Sequence, residues 1–102
     1  DDALLLDTLT KGSADSFVLR NHGVKAMLPG VFPLRAFSIN YMIKDMGYAL
    51  DLAAETGVEI KAAETTNEIL KEGAKGPLAE AYWPAMLAVI DPTIEPETPD
   101  GD

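Results

Sequence analysis

Between Ser38 and Gly57 the chain carries the one pattern that most restricts its fold. Apolar residues recur at Ile39, Met42, Ile43, Met46, Ala49, Leu50 and Ala53, the i, i+3, i+4, i+7 spacing that places side chains on one face of a helix with about 3.6 residues per turn. Ser38 suits the N-cap, where a short hydroxyl can accept from a free backbone N–H of the first turn. Gly57 suits the left-handed position just beyond a helix end. The pattern predicts a single helix of about 18 residues, the longest element and the spine of the domain.

The rest of the chain also reads as helix. "DDALLLDTLTKG" groups Leu4, Leu5, Leu6 and Leu9 and ends at Gly12, a short first helix. "SADSFVLRNHGVKAMLPG" offers Ser13 or Ser16 as N-cap. Gly23 interrupts it, so the stretch reads as one broken helix or two short ones before Pro29-Gly30. "VFPLRAFS" is a connector, because Pro33 biases Phe32 toward extended backbone. "VEIKAAETTNEILKEGAKG" places Ile60, Ala63, Thr66, Ile69 and Leu70 on one face and stops at Gly73 or Gly76. In "PLAEAYWPAMLAVID" a helix begun at Pro77 either kinks at Pro84, or a turn through Tyr82 and Trp83 leads to a separate helix from Pro84 to Ile90. No alternating strand pattern of useful length occurs. The expected fold is all-α, a small antiparallel bundle of about five helices around the long one.

Composition narrows the function. There is no cysteine in the 102 residues, so neither a disulfide framework nor a thiolate metal site is available and a reducing, cytoplasmic setting is expected. No apolar run approaches the roughly 20 residues needed to span a bilayer, and the acidic start "DDALLLD" is unlike a signal peptide. A net charge of −9 argues against nucleic acid. Asp91, Glu95, Glu97, Asp100 and Asp102 lie in a final stretch that also holds Pro92, Pro96 and Pro99 and no basic residue. Residues 91–102 are therefore expected to be a disordered acidic tail on a domain spanning 1–90. The lone His22 reads as a surface or cap histidine, and the pairs Asp51/Glu55 and Glu64/Glu68 as a solvated face, with no metal site expected. Tyr82, Trp83 and Pro84 fit either the core or a partner surface.

Lys44 is the residue that burial does not account for. Tyr41 lies three residues before it and Tyr48 four after it, so all three share one helical stripe, which Asp51 continues. One reading is a stem that covers the tyrosine rings while the ammonium reaches water beside Asp45 or Asp51. The other is a fixed cation held on a rigid helix for an anionic ligand or cofactor phosphate. Spacing alone does not choose between them.

Three stretches, "LLLDTLTKGSADSFVLRN", "MLPGVFPLRAF" and "IKDMGYALDLAAETGVEI", taken in order across most of Leu4 to Leu70, resemble the C-terminal domain of the 3-hydroxyisobutyrate dehydrogenase family of β-hydroxyacid dehydrogenases. The resemblance implies an all-α domain like the C-terminal domain of 6-phosphogluconate dehydrogenase. It also implies a parent in which a Rossmann domain binds NAD or NADP, and in which a small hydroxy acid is oxidised or a semialdehyde reduced by hydride transfer. By the same resemblance Lys44 matches the cofactor-contacting lysine of the family's "KD" pair, Phe37 the aromatic lining that cleft, and Asp45 a cofactor-binding neighbour that orients Lys44 or caps backbone.

The departures set limits. Neither a glycine-rich nucleotide fingerprint nor a "GxxGxxxKxxNN"-like stretch, which carries the family's catalytic lysine, is present, so no catalytic residue is assigned to this chain. Alone it is expected to show no turnover and no tight cofactor binding. Its expected partners are a Rossmann domain and a second copy, through apolar surface on the leucine-rich first helix. The competing expectation is a free-standing helical interaction or dimerisation module without catalysis, with Lys44 as a surface cation.

Overall fold

The computed structural model describes residues 1–101. Its elements follow the apolar periodicity: α1 (Asp2–Leu9), a π-helical segment (Leu19–Met27), α2 (Ile39–Thr56), α3 (Lys61–Ala74), a 3₁₀ turn (Trp83–Met86) and α4 (Leu87–Ile90). Among the described residues there is no strand, only isolated bridges. The domain is all-α, as expected.

The long helix begins and ends where its caps require. Ser38 Oγ accepts from the Tyr41 N–H at 3.0 Å, and Gly57 takes φ 74°, ψ 20°, a backbone that an L side chain would strain. An α-helix leaves its first N–H groups without internal partners, and here each finds one. Ile39 N–H donates to the Ala81 carbonyl at 3.0 Å, Asn40 N–H to that of Ala79 at 3.1 Å, and Met42 N–H to that of Ser38 at 2.9 Å. Asn40 Nδ2 adds a bond to Glu80 at 2.6 Å.

Those bonds place the start of α2 in the core. Phe32, Ile39, Leu70, Ala81 and Ala85 are fully buried and pack with Ala26 and Met86. Along the predicted apolar face only Ile39 is fully buried; Met42, Ile43, Met46, Leu50 and Ala53 are half-buried and Ala49 is exposed. The helix is a spine at its N-terminal end, and further on it is covered on one side by α3. Tyr48 and Leu52 on the opposite side are more than half exposed.

One local expectation is corrected and two open alternatives are decided. Gly23 does not interrupt its helix: residues 17–27 form one element, opened by Ser16 Oγ, which accepts from Leu19 N–H at 3.0 Å. Of the two stops for α3, Gly76 holds, just past the C-cap Lys75; Gly73 lies buried inside the helix, where a Cβ would come within 3.1 Å of Val89 and 3.3 Å of Ile39. Its missing side chain is what lets α3 close on the first residue of α2 and on α4. Of the two readings of the last segment, the separate turn holds: the chain is 3₁₀ through Pro84 and then α-helical from Leu87.

The connector 30–38 is clasped on two edges. On one, Tyr82 N–H donates to Pro33 at 2.9 Å and Trp83 N–H to Phe37 at 2.7 Å. On the other lies the acidic tail, for which composition suggests disorder. Phe32 N–H donates to Glu97 at 2.7 Å, Glu97 N–H to Gly30 at 2.9 Å and Leu34 N–H to Pro99 at 2.8 Å, while Arg35 reaches the Gly101 carbonyl at 3.0 Å. The prolines account for this form of pairing. They remove donors, so no regular ladder develops, yet Pro99 still offers its carbonyl.

Two measurements check these assignments. Ile39→Ala should lower stability by about 2–5 kcal/mol and Ser38→Ala by about 1 kcal/mol, both read from the urea midpoint of the helical circular-dichroism signal. A chain ending at Asp91 should keep that signal and lose about 1–3 kcal/mol, the net worth of a few backbone hydrogen bonds.

Candidate functional site

The site is set by where the connector delivers Phe37. With its carbonyl held by Trp83 and the next residue capping α2, the Phe37 ring meets Tyr41 edge-on, centroids 4.6 Å apart at 67°. One turn further along α2, Lys44 sets its ammonium 4.3 Å from the centroid of Tyr41 and 5.9 Å from that of Tyr48. The four side chains form a continuous run from the anchored end of the helix to its exposed half.

Among the described residues five of the eight Lys and Arg side chains make ion pairs, while Lys25, Lys44 and Lys71 make none, and of these three Lys44 alone sits over aromatic rings. Lys11 pairs with Asp7, Arg20 with Asp15, Arg35 with Asp100, Lys61 with Glu59 and Lys75 with Glu72. Among the described residues Lys44 has no ion pair, and neither Asp45 nor Asp51 reaches it. Asp45 is exposed, about 100° round the helix from Lys44. The ammonium thus keeps its full charge against aromatic faces, a contact worth about 0.5–1 kcal/mol at an exposed position. Chemically, this run offers a cation to an anionic oxygen and flat apolar rings beside it.

A second cluster was not readable from sequence. His22, half-buried rather than on the surface, hydrogen-bonds through Nδ1 to the Tyr82 hydroxyl. It stands 4.9 Å from the Trp83 ring and 6.0 Å from that of Phe17. Burial pushes the Tyr82 phenol above its ordinary pKa, so the hydroxyl stays protonated at neutral pH. Tyr82 and Trp83 thereby join the core through their half-buried rings, with Pro84 wholly inside. The partner of His22 lies 60 residues away, too far for any local pattern to reveal.

Beside that cluster a groove of about 730 Å³ opens between α1, the π-helical segment and the start of the tail, with Leu5, Leu19, Met27 and Leu87 in its wall and Asp2 and Asp91 at its edge. Leu4, Leu5 and Phe17 are largely exposed around it, Phe17 to 73%. Among the described residues no three His, Asp or Glu side chains converge as a metal site would require. Among the described residues no helix is long and apolar enough to cross a membrane.

Comparison with known proteins bears on the helical domain as a whole. No curated protein matches the chain. Residues 1–90 match a family model described as the NAD-binding domain of NADP-dependent 3-hydroxyisobutyrate dehydrogenase, and the chain, helical through that same span, belongs to this family.

Proposed function

We propose that this chain is the helical domain of an NAD(P)-dependent 3-hydroxyacid oxidoreductase and that Lys44, Phe37 and Asp45 form its contribution to the cofactor cleft. The observation that carries this reading is the unpaired Lys44 ammonium beside an aromatic run, in a chain whose family is described by its binding of NAD. An ammonium without a carboxylate partner fits a phosphate, ribose or carboxylate oxygen, to which it donates as a point charge.

The roles follow from chemistry. Lys44 binds and orients the anionic portion of the cofactor or substrate. Phe37 shields the adjoining space from water, and its own position is fixed through Trp83 and Tyr41. Asp45 stands at the rim, where a carboxylate accepts from hydroxyl groups. The cofactor, when bound, accepts or supplies the hydride between a small hydroxy acid and its semialdehyde. A Rossmann domain and the general acid/base belong to another part of the parent protein, so this chain alone is inactive and closes the cleft from one side. We place the parent in the cytoplasm.

The exposed leucines of α1 and Phe17 support a surface covered in the parent by the Rossmann domain or by a second copy. The same surface favours a second reading, an interaction module without catalysis, which differs in leaving Lys44 without a ligand.

Lys44→Ala in the full-length protein decides between them. The expected outcome is a rise of about tenfold or more in the cofactor dissociation constant, as for loss of a charge-assisted contact, with the circular-dichroism spectrum unchanged. Unchanged binding would leave only the interaction module.

A further inference from the structure

Tyr41 and Tyr48 lie outside the proposed contacts, yet they are the groups that touch the Lys44 ammonium. On a helix, side chains three and four residues apart are neighbours. The positions from which an acid could pair with Lys44 are Asn40, Tyr41, Gly47 and Tyr48. None is acidic, although the chain holds 17 acidic residues. The same spacing neutralises two other lysines, Lys11 by Asp7 four residues back at 2.8 Å and Lys75 by Glu72 three back at 3.1 Å, whereas Lys71, with Glu68 three back, makes no ion pair among the described residues.

Two of the four positions carry ring faces instead, at 4.3 and 5.9 Å from the ammonium, within the roughly 6 Å over which a cation is drawn to an aromatic face. A ring attracts the ammonium without cancelling its charge, as a carboxylate would. Tyr41 is itself held by Phe37, so the nearer face does not swing freely. The fourth position, Gly47, leaves the space beside Lys44 open, since a Cβ there would meet nothing within 4 Å.

We propose that Tyr41 and Tyr48 are positioning residues that hold the Lys44 ammonium unneutralised, ready for an anionic oxygen of the cofactor, and that the open position at Gly47 preserves that charge. The inference rests on the assignment of Lys44 to the cofactor cleft.

Substitutions at the neighbours separate positioning from packing. In the full-length protein, NAD⁺ and NADP⁺ are titrated by calorimetry against Lys44→Ala, Tyr41→Leu, Tyr41→Phe, Gly47→Glu and Gly47→Gln. Tyr41→Leu should weaken binding about threefold, the worth of one exposed cation–ring contact, while Tyr41→Phe keeps the ring and the affinity. Gly47→Glu supplies a carboxylate three residues from Lys44 and should weaken binding about threefold or more. Gly47→Gln has the same shape without charge and should bind as the parent does. In the nuclear magnetic resonance spectrum, the Lys44 ε-methylene protons should sit upfield through the Tyr41 ring current and return downfield in Tyr41→Leu.

If Lys44→Ala weakens binding while Tyr41→Leu and Gly47→Glu do not, the positioning role is overturned and the cleft assignment stands. If Gly47→Gln weakens binding as much as Gly47→Glu, bulk rather than charge is responsible and the inference fails. If Lys44→Ala has no effect, the cleft assignment falls and the inference with it.

Discussion

The first turn of α2 is the constraint on which the rest of the domain depends. Its N–H groups would be orphaned at any helix start; here the carbonyls of Ala79 and Ala81, the carbonyl of Ser38 and its hydroxyl take them up. Because two of those acceptors come from the segment before the 3₁₀ turn, the helix cannot begin elsewhere without stranding them in the core beside Ile39. That fixes the rotation of α2 about its axis. Rotation in turn decides which residues face α3 and which stand away from it.

The exposed stripe follows directly. With Ile39 inward and Gly73 drawn close against it, Tyr41, Lys44 and Tyr48 turn outward together. An apolar helix would gain nothing from leaving two tyrosines and an unpaired lysine there, since each exposed ring forfeits burial worth about 25 cal/mol per Å² of apolar surface. Under the function proposed above, the anionic NAD(P) cofactor is the ligand that this stripe would meet.

Much of this was legible in the sequence, where the physics is local. The Ser38 cap, the Gly57 stop and the Tyr41–Lys44–Tyr48 stripe depend on residues within four positions of one another, and periodicity reads such spacings. Gly23 was misread, and Gly73 could not be told from Gly76 as the stop of α3, because a glycine near a helix end and a glycine under a close neighbour look alike until the neighbour is known. His22 appeared partnerless because Tyr82 is brought to it only by folding. The tail was read by composition, which counts lost donors and overlooks the carbonyls that prolines keep.

The connector carries a consequence for the order in which the molecule forms. α2 and α3 are joined by a short loop and can pair as soon as both exist. The segment bearing Phe37 waits for acceptors and donors from 79–83 and then for 97–101, up to 66 residues downstream. Closing such long loops is slow compared with local helix pairing. During synthesis the helical hairpin therefore comes first, and the aromatic edge of the candidate site is completed only when the last residues of the described chain have emerged.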